Sequence, residues 1–274
     1  MFSPYYALAR RRQGAQVNPE NFCAINVALY GRGGKRWTMT ERGQKHIQRS
    51  AQHFQIGPSS LHWNGETLTI DIDEINVPLP KRVRGRITVK PEGLSTFVTS
   101  LDNEGRHRWG PIAPCSRVHV KMDDPNLDWH GHAYMDANEG DEPVEEGFKD
   151  WDWARCEMAN GDTTVVYDVR PQIGPNRIIA QRFTRSGNHT PFTAPKRHTM
   201  PASGWRIARG MCNDVNEPPT IVSTLEDTPF YARSLLRTTL LGEEVTAMHE
   251  SLDIPRLVSL PVRLMLPWRM PRRA

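Results

Sequence analysis

The chain has 274 residues, of which 24% are charged and 38% hydrophobic, and its mean hydropathy is -0.59. These values exclude an integral membrane bundle, which needs long apolar spans, and a disordered chain, which lacks large apolar residues. The net charge is +4, but acidic residues are interspersed among the basic ones, without the long basic stripe of nucleic-acid-binding proteins. We expect a globular protein that binds no nucleic acid.

Short runs rich in β-branched and aromatic residues, separated by Gly and Pro, follow one another along almost the whole chain. This pattern is typical of β-strands joined by tight turns. A single helix is predicted at 41–54, after Thr40 as a candidate N-cap, although Gly43 weakens it. The predicted strands are, in chain order, 23–30, 36–39, 67–73, 84–90, 94–100, 117–122, 129–135, 151–158, 163–169, 177–183, 231–239, 244–249 and 257–265.

A dozen or so short strands with very little helix predict an all-β fold. The chain is longer than one barrel of eight to ten strands needs, so two β-barrel halves packed together fit better. We place these halves at 1–145 and 146–274, with the boundary in the acidic stretch 139–146. The glycine-rich stretch 31–34 lacks the spacing of a phosphate-binding loop and is predicted to be a hairpin turn.

The four cysteines are scattered without a Cys-x-x-Cys pair, which argues against a zinc ribbon, a thioredoxin-type site and a dense disulfide framework. The short apolar stretch 5–9 precedes a basic cluster instead of following one, unlike a secretory signal. No segment approaches 18 uncharged apolar residues. We expect a cytoplasmic protein with reduced thiols.

Functional side chains are concentrated between 107 and 155. If 129–136 is a strand, its period of two places His130, His132, Tyr134 and Asp136 on one face. Two imidazoles, a phenol and a carboxylate are unusual for a β-protein core, and they would line a barrel interior with titratable groups. The same residues also allow a His130-x-His132 metal pair, packing by Tyr134, or a turn-capping Asp136.

Two further segments carry aromatic and charged side chains at the same spacing. His107 and Trp109 share a face if their segment is extended, and so do Trp151, Trp153 and Arg155. Aromatic rings, histidines and a carboxyl around one cavity suit an elongated apolar ligand that undergoes acid chemistry. By themselves these patterns predict an ionisable pocket but no particular reaction.

Several long motifs resemble the carotenoid 1,2-hydratase family, also called hydroxyneurosporene synthase. They run in order along essentially the whole chain. They are NVALY at 26–30, WTMTERG at 37–43, GPS at 57–59, HRWGPIAP at 107–114, GHAYMDANEGDEP at 131–143, FKDWDWAR at 148–155 and PWRMPRR at 267–273.

The resemblance implies a lipocalin-like fold of two β-barrel halves. It also implies a hydro-lyase that adds water to the terminal C-1,2 double bond of an acyclic carotenoid such as neurosporene or lycopene, without metal or other cofactor. The functional positions of the family fall on His107, Trp109, Tyr134 and Asp136. We expect Asp136 to be the general acid because burial raises the pKa of a carboxyl.

The remaining roles follow from the same substrate. Trp109 and Tyr134 are expected to offer π-faces to the cation, and His107 to position Asp136 or to accept a proton from water. Substrate-binding positions are assigned to Trp151, Trp153 and His132.

Because acyclic carotenoids lie in the bilayer, we expect peripheral contact with the inner or photosynthetic membrane. The segment 264–273, which mixes apolar and cationic residues, would provide that contact. A closing strand followed by a solvated tail explains this segment equally well. Three other functions remain open: a non-catalytic lipocalin-type carrier, a cofactor-free pericyclase-like enzyme on the same fold, and a metal-dependent enzyme that uses His130 and His132.

Overall fold

The computed structural model describes residues 3–31 and 35–273. Strands make up 55% of these residues. The elements in chain order are α1 (Pro4–Gln13), β1 (Cys23–Leu29), β2 (Arg36–Arg42), β3 (Ile47–Arg49), β4 (His53–Ile56), β5 (Ser59–Trp63), β6 (Leu68–Ile75), β7 (Arg82–Pro91), β8 (Thr99–Ser100), β9 (His107–Asp124), β10 (Leu127–Gly140), α2 (Val144–Gly147), β11 (Phe148–Glu157), β12 (Thr163–Pro171), β13 (Arg177–Phe183), β14 (His189–Pro191), β15 (Arg197–Met200), β16 (Arg209–Cys212), β17 (Thr220–Asp227), β18 (Tyr231–Leu240), β19 (Glu243–Asp253), α3 (Ile254–Leu257), α4 (Leu260–Arg269) and β20 (Arg272–Arg273).

The all-β prediction is confirmed, but the barrels are not. Each sheet in the described ranges has an open strand order, and none closes into a barrel. The two predicted barrel halves are therefore corrected to open, largely antiparallel sheets. In residues 3–31 and 35–273 no helix has both the length and the apolar character needed to span a membrane. Most of the predicted turn at 31–34 lies outside the described residues.

The chain forms two compact units, each assembled from separate segments. Unit 1 consists of Met1–Pro91, Arg117–Ala133 and Arg263–Ala274, and unit 2 of Glu92–Ser116 and Tyr134–Val262. The predicted boundary at 145/146 between two halves of the chain stays a prediction.

Unit 1 contains an antiparallel meander in which β3, β4, β5, β6 and β7 pair in chain order. The sheet continues from β7 to β9 and β10, while β1 pairs with β2 and β20 runs parallel to β2. Because side chains alternate across a strand, every second residue faces the core. The buried core residues of unit 1 are Val27, Ile72, Val83, Val89, Val118, Val120 and Met122.

The predicted helix at 41–54 is wrong. Its first residues complete β2, and the rest form a short 3-10 turn followed by β3 and β4. The side chains of Glu41 and Arg42 are both buried and charged, and each needs a partner. Arg272 pairs with Glu41, and Arg42 reaches Glu74 at 2.8 Å. These partners are distant in sequence, so tertiary pairing overrides the local helical pattern.

Unit 2 is built on one sheet with the strand order β14-β13-β12-β11-β19-β18-β17, to which a β15–β16 hairpin is added. In the β11–β12 register, Trp153 lies opposite Tyr167 and Trp151 opposite Val169. One side chain layer packs small and aliphatic residues such as Ala154 and Cys156. The other layer is strongly aromatic and holds the candidate site.

Two C-terminal elements differ from the sequence prediction. The stretch 257–265 was predicted to be a strand, but it lies in α3 and α4. The chain leaves the extended conformation before this stretch: the Asp253 side chain caps α3 by accepting a hydrogen bond from the Arg256 N–H at 3.0 Å, with Pro255 in the first turn, and α4 begins three residues after α3 ends.

Two other elements also depart from the prediction. The predicted strand 94–100 shrinks to Thr99–Ser100, which pairs with Arg108 and Trp109. Helix α1 was not predicted, although Ser3 followed by Pro4 is a start signal and Ser3 accepts from the Tyr6 N–H at 3.0 Å.

Candidate active site

One carboxylate oxygen of Asp136, in unit 2, accepts hydrogen bonds from both Trp109 and Tyr134. The Trp109 indole N–H donates to Asp136 Oδ2 at 2.7 Å, and the Tyr134 hydroxyl donates to the same atom at 3.0 Å. Trp109 comes from β9, whereas Tyr134 and Asp136 are two residues apart on β10 and therefore share a face. Neither donor reaches Oδ1. The structure thus brings together three of the four residues that the resemblance implied.

Burial determines the electrostatics of this group. It raises the pKa of Asp136, an effect that the hydrogen bonds from Trp109 and Tyr134 and the nearby Arg155 guanidinium partly oppose. Burial also holds the pKa of Tyr134 well above its ordinary value, and the adjacent carboxylate adds to that effect. The phenol therefore stays protonated and remains a donor, while the carboxyl favours its neutral form more than an exposed aspartate does.

An aromatic cluster surrounds the carboxyl. Tyr167 meets Trp109 edge to face, with ring centroids 5.6 Å apart and planes at 90°. Trp153 lies 5.5 Å from the Tyr134 ring and Trp151 lies 6.2 Å from the Tyr167 ring. These edge-to-face and tilted contacts are the favoured geometries of aromatic pairs. The predicted substrate-binding residues Trp151 and Trp153 therefore belong to the same cluster as Trp109 and Tyr134.

Two features of the cluster are polar. The indole Nε1 of Trp153 is buried and has no hydrogen-bond partner among the described residues. The guanidinium carbon of Arg155 lies 5.5 Å from the centre of the Tyr134 ring, a cation–π contact, and burial lowers the pKa of this arginine. Sequence analysis grouped Arg155 with the two tryptophans by spacing but did not assign it a role.

His107 lies in a tightly packed part of unit 2, against Phe148 of the aromatic cluster. A Cβ at Gly140 would lie 2.6 Å from its Nδ1, and a Cβ at Gly147 would lie 2.7 Å from its Nε2. Both distances are shorter than van der Waals contact, so the ring fits only because these positions are glycine. The Phe148 ring closes the site with a centroid distance of 4.7 Å.

The carboxyl group that faces the His107 ring is that of Glu142, not that of Asp136. The His107 Nε2 lies 3.4 Å from Glu142 Oε1, and both buried atoms have no hydrogen-bond partner in residues 3–31 and 35–273. Over the same residues no hydrogen bond joins His107 to Asp136, so the expectation that His107 directly positions Asp136 receives no support. Sequence analysis missed Glu142, although it lies within the family motif at 131–143.

The histidines at the start of β10 do not join this cluster. His130 and His132 are exposed and belong to unit 1. The Nε2 of His132 lies 3.0 Å from the Arg117 guanidinium, and the His130 ring stacks on His119. The role of His132 in substrate binding stays a prediction.

Comparison with known proteins identifies the family. The family model described as carotenoid hydratase CrtC matches residues 1–274. An acyclic carotenoid 1,2-hydratase of Rubrivivax gelatinosus is 56% identical over 274 residues, which cover 100% of this chain and 68% of that protein. Proteins of the same name from Thiocapsa roseopersicina and Cereibacter sphaeroides are 51% and 35% identical, over 99% and 100% of this chain and 67% and 95% of their own lengths.

The match extends over the whole chain, and it includes the residues that form the half-buried carboxyl and its aromatic cluster. A carrier without catalytic activity does not fit a family of hydratases. The chain belongs to the carotenoid hydratase family and is an enzyme.

Proposed function

We propose that this chain adds water across the C-1,2 double bond of acyclic carotenoids such as neurosporene and lycopene, giving 1-hydroxy carotenoids without a cofactor. The name shared by its relatives supports both the substrate class and the position of the bond. The observation that carries the mechanism is the half-buried Asp136 carboxyl, which two donors hold beside an aromatic cluster.

Proton transfer from Asp136 to C-2 is the proposed first step. The double bond is not activated by a neighbouring group, so a neutral, proton-bearing acid is required, and burial of Asp136 favours that form. Because Trp109 and Tyr134 both donate to Oδ2, the acidic proton belongs on Oδ1. The same two donors stabilise the carboxylate left after transfer, without further rearrangement.

A tertiary cation at C-1 follows from protonation at C-2. The π-faces of Trp109, Tyr134 and Trp153 are the groups of the cluster suited to stabilise it, each by about 0.5–2 kcal/mol. Water then adds at C-1. The unpartnered Trp153 N–H is a donor available to hold its oxygen.

The added water must lose a proton to give the alcohol. We assign this proton to His107, whose contact with Glu142 at 3.4 Å provides a carboxylate to stabilise the charged imidazole. Proton exchange with solvent then returns both His107 and Asp136 to their starting forms. The net reaction adds one water to the alkene and leaves the protein unchanged.

The test is a product assay with purified protein and detergent-dispersed lycopene or neurosporene in water labelled at its oxygen. We expect a product heavier by one labelled water, with the label at C-1. Binding without any mass gain would instead indicate a carrier. Because both substrates are hydrocarbons, their conversion excludes an enzyme that must polarise a carbonyl. Loss of activity with a chelator would contradict the cofactor-free mechanism.

A second proposal concerns access to the substrate, which is dissolved in membranes. Helix α4 exposes Leu260, Leu264 and Trp268 to 70%, 65% and 80%. These residues are spaced at i, i+4 and i+8, so they form one stripe along the helix. Arg263 and Arg269 belong to the same helix. We propose that this stripe inserts into the interface of an anionic membrane while the arginines contact lipid headgroups.

Sedimentation with vesicles of mixed anionic and neutral lipids tests this contact. We expect salt-sensitive association that Trp268→Ala and Leu264→Ser weaken. Ile173→Ser is the matched control, since Ile173 is exposed to 84% but lies outside α4. Membrane docking through α4 would be refuted if the unchanged protein and the three variants bound vesicles equally well. Binding that neither salt nor anionic lipid affects would refute it too.

A further inference from the structure

His119, Asp128 and His130 form a cluster of metal-binding side chains in unit 1 that the proposed hydration does not use. One ligand atom from each of the three residues lies within 4.8 Å of the others. The His119 Nε2 is 2.7 Å from Asp128 Oδ1. The His119 and His130 rings stack with centroids 4.0 Å apart and planes at 14°.

The two strands that carry these residues explain why they meet. Asp128 and His130 are two residues apart on β10, so their side chains leave the strand on the same side. His119 is on β9, which neighbours β10 in the same sheet. Hydrogen-bonded strands are rigid supports for a ligand set.

The chemistry of the donors selects the kind of ion. Two imidazole nitrogens and one carboxylate oxygen are typical ligands of Zn²⁺ and related divalent transition metals, with water completing the coordination. Mg²⁺ and Ca²⁺ prefer sites made of oxygen ligands only. We propose that His119, Asp128 and His130 bind a divalent transition-metal ion of the zinc type. This site differs from the His130-x-His132 pair that the sequence suggests, because the His132 ring contacts Arg117.

The proposal assigns no step of the reaction to this ion. It also does not depend on the proposed hydration, because none of the three ligands belongs to the acid or its aromatic cluster. Bound metal would join β9 to β10 through side chains that already pack together.

Competition between the tag-free, metal-stripped protein and a chromophoric chelator measures Zn²⁺ binding without any activity assay. We expect the unchanged protein to bind one equivalent of Zn²⁺ tightly. The affinity should be at least about ten-fold weaker in His119→Ala and in His130→Ala, because loss of a residue that only supports a metal ligand already costs about ten-fold or more. Both substitutions are on the protein surface, and circular dichroism checks that the variants fold.

A second histidine pair in unit 1 provides the matched control. His53 and His62 face each other across β4 and β5 with ring centroids 6.3 Å apart. We expect His62→Ala to bind Zn²⁺ as the unchanged protein does. The proposal is overturned if the unchanged protein binds no tight equivalent, if His130→Ala binds equally well, or if His62→Ala loses as much affinity.

Discussion

Replacing Asp136 by Asn tests the proposed proton donor most directly. The amide has the size of the carboxyl, and its oxygen can still accept the hydrogen bonds that Trp109 and Tyr134 donate. It has no acidic proton. Loss of general-acid assistance slows a reaction by about 10²–10⁴-fold, equivalent to about 2.7–5.4 kcal/mol of activation free energy. We expect kcat on lycopene to fall within that range while KM changes little.

The assay compares product formation by the unchanged protein, Asp136→Asn and a matched control at saturating lycopene. Asp71→Asn is the control: it makes the same chemical change at a carboxylate that pairs with Arg86 at 2.7 Å on the exposed face of unit 1. Near-ultraviolet circular dichroism verifies the folded state. A folded Asp136→Asn protein that hydrates lycopene at nearly the unchanged rate refutes the assignment of Asp136 as the acid.

The raised pKa of Asp136 determines how both kcat and stability should change with pH. The acid works only when protonated, so kcat should fall as the pH rises through the folded-state pKa. Because the folded-state pKa lies above the unfolded one, the contribution of Asp136 to stability is fully present below the unfolded pKa and disappears as the pH rises. Asp136→Asn should therefore stabilise the fold relative to the unchanged protein at neutral and alkaline pH, as thermal unfolding across pH measures.

Substitutions at three further positions test neighbouring parts of unit 2. Trp109→Phe keeps a smaller π-face but loses the 2.7 Å hydrogen bond to Asp136. We expect a moderate loss of kcat in Trp109→Phe and a severe loss in Trp109→Ala. Equal rates for Trp109→Phe and the unchanged protein would contradict a role for the indole N–H. Gly147→Ala places a methyl group 2.7 Å from His107 Nε2; we expect a lower kcat or a lower thermal midpoint, and an unchanged protein by both measures would mean that the ring is free to move. Asp152 accepts hydrogen bonds from the Ser251 hydroxyl at 2.5 Å and the Gly210 N–H at 3.2 Å. It also pairs with Arg170 and Arg197, which both keep Asp168 as a second partner. Asp152→Ala should cost about 1–3 kcal/mol in the free energy of unfolding by urea, because two buried donors lose their acceptor, and a loss below about 0.5 kcal/mol would show that water replaces the carboxylate.

Local patterns predicted most of the strands, since alternation of side chains is a property of the extended backbone itself. They missed β5, β14, β15, β16, β17 and β20, and they failed at 41–54 because distant charges decided the outcome there. The stretch 41–54 looks helical, but the buried charges of Glu41 and Arg42 find their partners only through β2. At the C-terminus the apolar run 257–265 is compatible with a strand or a helix, and most of it forms α4.

The candidate site also combines relations that are local in the sequence with contacts that only the tertiary structure sets. The sequence by itself determined that Tyr134 and Asp136 share a face, and that Trp151, Trp153 and Arg155 share another, because period two is local. It did not determine that β9 supplies an indole N–H to the Asp136 carboxyl, nor that His107 faces Glu142 between two glycines. Those contacts join residues from different elements, and only the packing of the sheets sets the distances between them. Tertiary structure likewise left His130 and His132 exposed, because which face of a strand is buried depends on the elements packed against it, not on the strand's own alternation.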